Sequence, residues 1–399
     1  GGVCAPKGFV ANGIHCGIRK NKTKRDLALI VSQTQCTAAA VYTQNLVFGA
    51  PIAVTKESLA NGHAGAVICN SGIANTCNAD GVEKAKAMQE VTAKVLQISA
   101  DDIIIASTGV IGQPLNLEPV VDGMDELVKG LSASGSDFAA QAIMTTDTRK
   151  KEYAVEFEIN GKTCKIGAIA KGSGMICPNM ATMLCFITTD TAIATPMLKA
   201  ALEAAVADSF NMLSIDGDTS TNDMASIMAN GQAGNACIET QGKAYEAFQC
   251  ALTALCVKVA KEMARDGEGA TKLIECVLSG ATDENAAKVM AKSVINSALV
   301  KTAMFGADAN WGRIICAMGY AGVWLDVNSV AIAFQSAGGR VAVCENGAAL
   351  AFSEEKAAKV LAEGEIIIDI SLKDGDGCAS AFGCDFSYDY VKINGDYRT

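Results

Sequence analysis

Short apolar runs separated by polar and glycine residues fill the first 80 positions of the chain. Residues 27–31, 38–42 and 65–69 are the clearest of these runs, and each has the length and the bounding residues of a buried strand. The pattern then changes, because apolar side chains recur every three or four positions from residue 81 to residue 98. That period predicts an amphipathic helix over 81–98.

The rest of the chain continues this mixture of strand and helix patterns. Residues 153–159 and 163–169 alternate between apolar and polar side chains on either side of Asn160-Gly161, which predicts a tight hairpin. Thr195-Pro196 predicts the start of a helix over 195–207, since proline suits the first helical turn. The other predicted helices cover 118–130, 136–144, 243–265 and 283–304, and the other predicted strands cover 103–106, 183–187, 314–318, 330–334, 341–344, 366–370 and 388–393. Groups of strands with helices between them predict a mixed α/β protein.

Size and charge limit the classes of partner. The 399 residues suffice for one large domain or for two or three ordinary ones. A net charge of -10 and a pI of about 4.9 argue against a broad basic face for nucleic acid. The one basic run, residues 19–25, is expected to be a solvated loop. No apolar run reaches the ~18 residues of a membrane helix, so we expect neither nucleic acid nor a membrane as a partner.

The 16 cysteines and two histidines limit the possible chemistry. No Cys-x-x-Cys pair occurs, and Cys69 and Cys316 lie in apolar runs, where a free thiol behaves as a small buried hydrophobe. We therefore expect a soluble, cytoplasmic protein without structural disulfides. His15 and His63 are too few for a His-rich zinc site and are expected to be structural or surface residues, so no metal is predicted. If the chain transfers acyl groups, its general base should be a group other than histidine.

The segment Lys171-Gly-Ser-Gly-Met-Ile-Cys-Pro-Asn-Met-Ala-Thr-Met-Leu184 could carry such chemistry. Its glycines allow a sharp turn, and a buried strand is predicted directly after Thr182. A hydroxyl at that position could attack the carbonyl of Ala181 and cleave the Ala181–Thr182 bond. The new α-amine of Thr182 would then serve as its own general base. Spacing alone leaves open the simpler interpretation that a threonine begins a strand after a glycine turn.

This segment resembles the cleavage and nucleophile motif of the ornithine acetyltransferase family, the glutamate N-acetyltransferases of arginine biosynthesis. The family motif reads Lys-Gly-small-Gly-Met, followed by Pro-Asn-Met-Ala-Thr-Met-Leu. Further blocks resemble the family in the same order along the chain, at residues 107–112, 144–148, 214–223, 265–272, 307–313 and 394–399. Six or seven ordered blocks, from about residue 66 to the last residue, make the resemblance highly specific.

The resemblance implies a role for each matched residue. Thr182 would be the nucleophile that is acetylated, and the Thr108 hydroxyl and the Gly109 N–H would stabilise the oxyanion of the tetrahedral intermediate. The residues expected to bind the amino-acid substrate are Thr145, Lys171, Thr182, Glu268, Asn394 and Thr399. Thr146 and Thr148 stand close to Thr145 in the same block.

Two of the matched blocks also have simpler interpretations. Glu268 lies between glycines and could be a solvated loop acid. The polar loop 216–223 could brace the active site or merely cap helix ends. It does not fit a calcium loop of the EF-hand type, because Thr221 stands where that loop needs glycine.

The resemblance also implies an architecture and a reaction. The fold would be the αββα-type layered arrangement, cleaved into an α chain of residues 1–181 and an interleaved β chain of residues 182–399 that assemble as α2β2. Acetyl would pass from N-acetylornithine to Thr182 and then to glutamate, without cofactor, and acetyl-CoA could be a second donor. The alternatives are a self-processed N-terminal-nucleophile amidase or aminopeptidase, and an uncleaved homologue that binds a small molecule without catalysis.

Overall fold

The computed structural model describes residues 1–177 and 183–396, which form two compact units. The first unit contains residues 1–172, 183–210 and 219–259, and the second contains residues 173–177, 211–218 and 260–396. Each unit is therefore assembled from stretches that are separated in sequence.

The described residues form fifteen strands and eleven α-helices. The strands are β1 (Phe9–Ile14), β2 (Leu27–Tyr42), β3 (His63–Ile73), β4 (Ile103–Val110), β5 (Lys151–Ile159), β6 (Lys162–Lys171), β7 (Leu184–Thr189), β8 (Leu213–Ser214), β9 (Met224–Ala229), β10 (Leu273–Ala281), β11 (Ala331–Ser336), β12 (Gly339–Glu345), β13 (Ala348–Ala349), β14 (Glu365–Ser371) and β15 (Gly377–Cys384). The helices are α1 (Ala50–Ser58), α2 (Gly81–Leu96), α3 (Glu118–Lys129), α4 (Ser136–Ile143), α5 (Thr195–Ala207), α6 (Lys243–Arg265), α7 (Glu284–Asn296), α8 (Ala298–Phe305), α9 (Trp311–Gly319), α10 (Glu354–Leu361) and α11 (Tyr388–Asp396).

The first unit is built on one mixed sheet with strand order β4-β3-β2-β9-β7-β6-β5, and β1 pairs with β2. Strands β3 and β4 are parallel, and β4 lies at an edge of the sheet. Strands β6 and β7 are antiparallel neighbours, with Lys171 opposite Leu184. The ends of these four strands position most of the candidate site residues of this unit.

Both faces of this sheet are covered, and the alternation of side chains along β2 shows how. Ala28 and Ile30 belong to a buried cluster that includes the apolar side of α4. Leu27 and Leu29 belong to a second cluster that includes residues of α2 and α3. A strand that is buried on both faces needs apolar residues at nearly every position, which explains the continuous run at 27–31.

The second unit is built on a sheet with strand order β13-β12-β11-β14-β10-β15-β8. Helix α7 packs on β10 and β15, and α10 packs on β11 and β12. The predicted mixed α/β class is confirmed. The hairpin is also confirmed, as β5 and β6, and so is the helix over 195–207.

Three secondary-structure predictions in the C-terminal part are wrong. Residues 314–318 belong to helix α9, where Ile314, Ala317 and Met318 are buried on one side and Cys316 is exposed. Residues 388–393 belong to α11, which has no buried residue. In both cases the run is too short to distinguish a period of two from a period of 3.6.

The predicted helix over 283–304 is two helices, α7 and α8. Ser297 has an extended backbone, with φ -66° and ψ 112°, and its side chain accepts a hydrogen bond from the N–H of Val300. Serine is a favoured N-cap because its oxygen satisfies a free N–H of the first turn. The chain therefore ends one helix and starts another within one continuous apolar pattern.

Candidate active site

One buried carboxylate joins two of the predicted binding segments in the first unit. Asp147 accepts a hydrogen bond from the N–H of Thr145 over 3.0 Å through one oxygen. Its other oxygen accepts from the N–H of Gly172 over 2.8 Å and from the Lys151 Nζ over 2.6 Å. The half-buried Thr145 and the end of β6, where Lys171 lies, are thus held by the same side chain.

The Asp147–Lys151 pair is almost fully removed from water, with 0% and 1% of the side chains exposed. Burial alone would raise the pKa of the Asp147 carboxyl, but the positive charges of Lys151 and Lys171 and the Gly172 hydrogen bond outweigh it. The pKa of Asp147 therefore lies below its usual value, and the group stays ionised.

The predicted oxyanion residues lie at the end of β4, next to β3. Thr108 is opposite Ser71, and Gly109 is opposite Gly72. Gly109 has a φ of +129°, and a Cβ at this position would lie 2.2 Å from the carbonyl carbon of Gly72. Only glycine allows this close approach of the two backbones.

A buried carboxyl also lies beside the start of β7. Asp223 directly precedes β9, and the N–H of Met224 donates to the carbonyl of Met183, the residue after Thr182 in the chain. Asp223 is 3% exposed, and its Oδ2 has no hydrogen-bond partner among the described residues. Burial raises the pKa of Asp223 well above its usual value, although the positive charge of Lys171 opposes the shift. The surroundings therefore favour the neutral form of this acid.

In the second unit the structure brings together two predicted binding residues, Glu268 and Asn394. The Asn394 side-chain amide donates to the Glu268 carboxylate over 2.8 Å. The N–H of Glu268 donates to the carbonyl of Ser173 over 2.8 Å, and its carboxylate lies so close to Gly174 that a Cβ there would be 2.4 Å from an oxygen. Glu268 is therefore fixed against the glycine turn that precedes Thr182 in sequence, and it is not a free loop acid.

The polar loop over 216–223 braces its surroundings, as one of its two interpretations suggested. In the second unit the Asp216 carboxylate accepts from the N–H groups of Met175 and Ile176 over 2.6 and 2.8 Å. In the first unit Thr221 and Asn222 belong to a buried hydrogen-bond cluster. The loop therefore binds backbone and side-chain groups of the candidate site segments.

The structure thus describes six predicted site residues, Thr108, Gly109, Thr145, Lys171, Glu268 and Asn394. Ala181, Thr182 and Thr399 lie outside the described residues. The described part of the chain holds no cluster of three or more His, Cys, Asp or Glu side chains arranged for a metal ion, and the absence of a metal stays a prediction. No described helix has the length and hydropathy needed to cross a membrane.

Sequence comparison decides the family. The model of the ArgJ family matches residues 10–399. The chain belongs to the ArgJ family. It is 48% identical over 400 residues to the arginine biosynthesis bifunctional protein ArgJ of Caldanaerobacter subterraneus subsp. tengcongensis. The match covers 100% of this chain and 99% of that protein.

Two further ArgJ proteins support the assignment. The Bacillus subtilis protein is 47% identical over 401 residues, covering 100% of this chain and 97% of that protein. A crystal structure of the Bacillus halodurans protein shares 44% identity and a TM-score of 0.51, and covers 53% of this chain and 98% of that chain. The predictions of this family and of an N-acyltransferase of arginine biosynthesis are confirmed.

Three residues that hold backbone groups of the candidate site segments were not predicted from the sequence. Asp147 and Asn222 lie inside matched blocks, but nothing in the spacing distinguishes a polar residue that holds the backbone from one that binds substrate. Arg19 belongs to the run that is predicted to be a solvated loop, yet it is half-buried and its guanidinium donates to the carbonyl of Met144, next to Thr145. A lone basic residue within a basic run gives no pattern from which such a contact could be predicted.

The buried ion pair gives a stability prediction. Lys151→Met leaves the Asp147 carboxylate buried without its counterion, which typically costs about 3–5 kcal/mol. Lys150→Met is the matched control, since Lys150 is the adjacent residue and pairs with Asp137 with 46% of its side chain exposed. Such a surface pair contributes about 1 kcal/mol or less. Urea unfolding of both variants measures the difference, and equal losses would contradict the assigned role of the buried pair.

The two buried carboxyls should change the free energy of unfolding in opposite directions as the pH changes. The native pKa of Asp223 is raised, so above the unfolded value of about 3.9 the native state holds a proton that the unfolded state has released. The free energy of unfolding of wild type, minus that of Asp223→Asn, should therefore fall as pH rises above about 4. The native pKa of Asp147 is lowered, so the stability relative to Asp147→Asn should be lost as pH falls below about 4.

Urea unfolding of the three proteins between about pH 3 and pH 8 compares these dependences. Each asparagine variant serves as the control for the other, because both remove one buried carboxyl. The same slope for both variants would contradict the assigned ionisation states.

Proposed function

We propose that this chain is a glutamate N-acetyltransferase that moves acetyl from N-acetylornithine to glutamate through acetyl-Thr182. The observation that carries the proposal is the full-length similarity to bifunctional ArgJ proteins, at 48% identity over 400 residues. The segment from Lys171 to Leu184 contains every element of the family motif for cleavage and nucleophile. In this proposal the chain first cleaves its own Ala181–Thr182 bond, giving pieces of residues 1–181 and 182–399.

One comparison supports the cleavage, and one feature of the sheet accounts for how the two pieces would stay associated. The crystallised Bacillus halodurans chain matches along 98% of its own length but only 53% of this chain, as expected for one piece of a divided protein. Strands β6 and β7 lie on opposite sides of the bond and pair along six residues, from Ile166–Thr189 to Lys171–Leu184. The two pieces would therefore stay together in one sheet.

The chemistry follows from a free Thr182 amine. An α-amino group has a pKa of about 7.7–8.0, so at neutral pH a useful fraction is unprotonated and can accept the hydroxyl proton. The threonine oxygen then attacks the acetyl carbonyl of N-acetylornithine, the C–N bond breaks, and ornithine leaves with the proton on its amine. Glutamate attacks the resulting acetyl ester through its own amine and regenerates the Thr182 hydroxyl. This cycle uses no histidine, metal or organic cofactor.

The oxyanion of both tetrahedral intermediates would be bound by the Thr108 hydroxyl and the Gly109 N–H. Among the described residues, no side chain or loop carbonyl accepts a hydrogen bond from this N–H. Thr108 is 6% exposed, which lowers the competition from water. Removing one such donor typically lowers kcat by about 10²–10³.

The amino-acid part of the substrate would be held by Thr145, Lys171, Glu268, Asn394 and Thr399. The Lys171 ammonium suits the α-carboxylate shared by the substrates, and the Glu268 carboxylate suits the side-chain ammonium of ornithine. The relatives are bifunctional proteins of arginine biosynthesis, and we propose acetyl-CoA as a second acetyl donor for glutamate. We further propose an α2β2 assembly and a cytoplasmic location.

The cleavage prediction concerns the intact mass of the purified protein. Wild type should give two pieces that divide between Ala181 and Thr182, and Thr182→Ala should give one unbroken chain, because alanine has no hydroxyl to attack the preceding carbonyl. Thr182→Ser is the control, since it keeps a hydroxyl and should still divide. An unbroken wild-type chain would leave Thr182 without a free amine and would favour the binding-only alternative.

The transfer prediction concerns turnover of N-acetylornithine. Ornithine release should depend on glutamate, with the parallel double-reciprocal lines of a ping-pong cycle. Steady hydrolysis unaffected by glutamate would favour the amidase alternative. Acetylglutamate formed from acetyl-CoA and glutamate would establish the second activity, and product at no more than the uncatalysed rate would remove it.

The same assay tests the substrate-binding charge. Lys171→Met should raise KM for N-acetylornithine and glutamate by about 10- to 100-fold, since a hydrogen bond to a charged group contributes about 1.5–3 kcal/mol. Lys165→Met is the matched control on the same strand, because Lys165 pairs with Glu156 and 39% of its side chain is exposed. Equal KM values for the two variants would contradict the role of Lys171.

A further inference from the structure

The free edge of β4 is covered by side chains instead of a neighbouring strand. β4 is the terminal strand of its sheet, so the peptide groups of every second residue point away from β3. The Gln89 amide donates to the carbonyl of Ile103 over 3.0 Å. The Thr55 hydroxyl donates to the carbonyl of Ile105 over 2.8 Å and accepts from its N–H over 3.0 Å.

Asn222 occupies the next position along this edge. Its side-chain amide donates to the carbonyl of Ser107 over 2.9 Å and to the carbonyl of Ala74 over 2.6 Å. Its Oδ1 accepts from the hydroxyls of Thr76 and Thr221, each over 2.6 Å. Both amide protons and both lone pairs are used, so the orientation of the side chain is fully determined.

The alternating directions of the peptide groups along β4 indicate to which side the Gly109 N–H points. Peptide groups point alternately to the two sides of a strand, so those of Ile105, Ser107 and Gly109 point to the same side. The carbonyl of Val110 points to the opposite side, towards β3, and accepts from the N–H of Ala74. The Gly109 N–H therefore points to the same open side as the Ser107 carbonyl that Asn222 holds. No described loop carbonyl accepts a hydrogen bond from this N–H, which lies at the end of the strand.

We propose that Asn222 is a positioning residue for acetyl transfer, which holds the free edge of β4 so that the Gly109 N–H is presented to the developing oxyanion. The inference rests on the proposed function, because the atom that would accept the Gly109 hydrogen bond is the oxyanion formed from the acetyl group of the substrate. Asn222 does not contact the reacting atoms in this proposal. It acts through the Ser107 carbonyl, two residues before the donor, and through the Ala74 carbonyl just beyond β3. A donor fixed before substrate binds needs no reorganisation in the transition state.

The test compares Asn222→Asp with Asn235→Asp. Both asparagines are buried in the first unit, and each amide donates to two backbone carbonyls, those of Ala192 and Ala236 for Asn235. Asn222→Asp replaces the two amide donors with an oxygen and should lower kcat for acetyl transfer at least about tenfold, with KM within about twofold. Asn235→Asp should lose comparable stability with kcat within about twofold of wild type.

A double-mutant cycle with Thr108→Ala separates positioning from general damage. If Asn222 acts through the oxyanion donors, the two substitutions together should lower kcat by less than the product of their separate effects. Multiplicative losses, or an Asn222→Asp kcat equal to that of Asn235→Asp, would overturn the proposal. Should Asn222→Asp fail to fold, Thr76→Val removes one hydroxyl that orients Asn222 and should give a smaller loss of kcat in the same cycle.

Hydrogen exchange distinguishes this inference from the proposed function. Amide exchange over residues 103–110 should be faster in Asn222→Asp than in Asn235→Asp, whether or not acetyl is transferred. Unchanged exchange would overturn the role of Asn222 at the edge. Faster exchange in a protein whose wild type transfers no acetyl would support that role and reject acetyl transfer itself.

Discussion

A carboxylate that accepts three hydrogen bonds inside a protein fixes three pieces of structure at once, and Asp147 does this in the first unit. It holds the Thr145 backbone, the Gly172 backbone and the Lys151 ammonium. It must stay ionised to do so, because a protonated acid would lose the attraction of Lys151. The position of Lys171 at the end of β6, and the start of the turn that follows it, both depend on this one charge.

The positive charge of Lys171 acts on two buried carboxyls, those of Asp147 and Asp223, whose pKa values are shifted in opposite directions. Asp147 has two positive neighbours and two backbone donors, and its pKa is lowered. Asp223 has an oxygen without a described partner, and its pKa is raised. The site thus contains an anion that holds the backbone and a neutral acid beside Met183, although the two side chains have identical chemistry. Burial alone does not determine the charge of a carboxyl; the donors around it do.

Several strands and helices of the first unit could be predicted from the sequence because their apolar patterns are long. The sequence did not predict β1, α1 or β9, and the two strands predicted over 27–31 and 38–42 are one strand, β2. The hairpin around Asn160-Gly161 and the helix after Thr195 have local causes and were found where predicted. Residues 314–318 and 388–393 could not be assigned by pattern alone, since five or six apolar-rich residues fit either period. The motif identified Glu268 and Asn394, but not the hydrogen bond between them. Asp147 and Asn222 were missed because they bind main chain, which leaves no signature in residue spacing.

The division of the units has a consequence for any split form of this protein. The second unit consists of residues 211–218, 260–396 and one short stretch from earlier in the chain, residues 173–177. That stretch is bound by the Asp216 carboxylate and by the N–H of Ile215, which donates to the carbonyl of Ile176 over 2.7 Å. A gene divided after the codon for Ala181 would therefore produce a C-terminal polypeptide that lacks both this stretch and β6, one of the two strands that pair with β7. Such a polypeptide would expose a bare strand edge during synthesis, a known route to aggregation. Continuous translation of one precursor avoids that exposure.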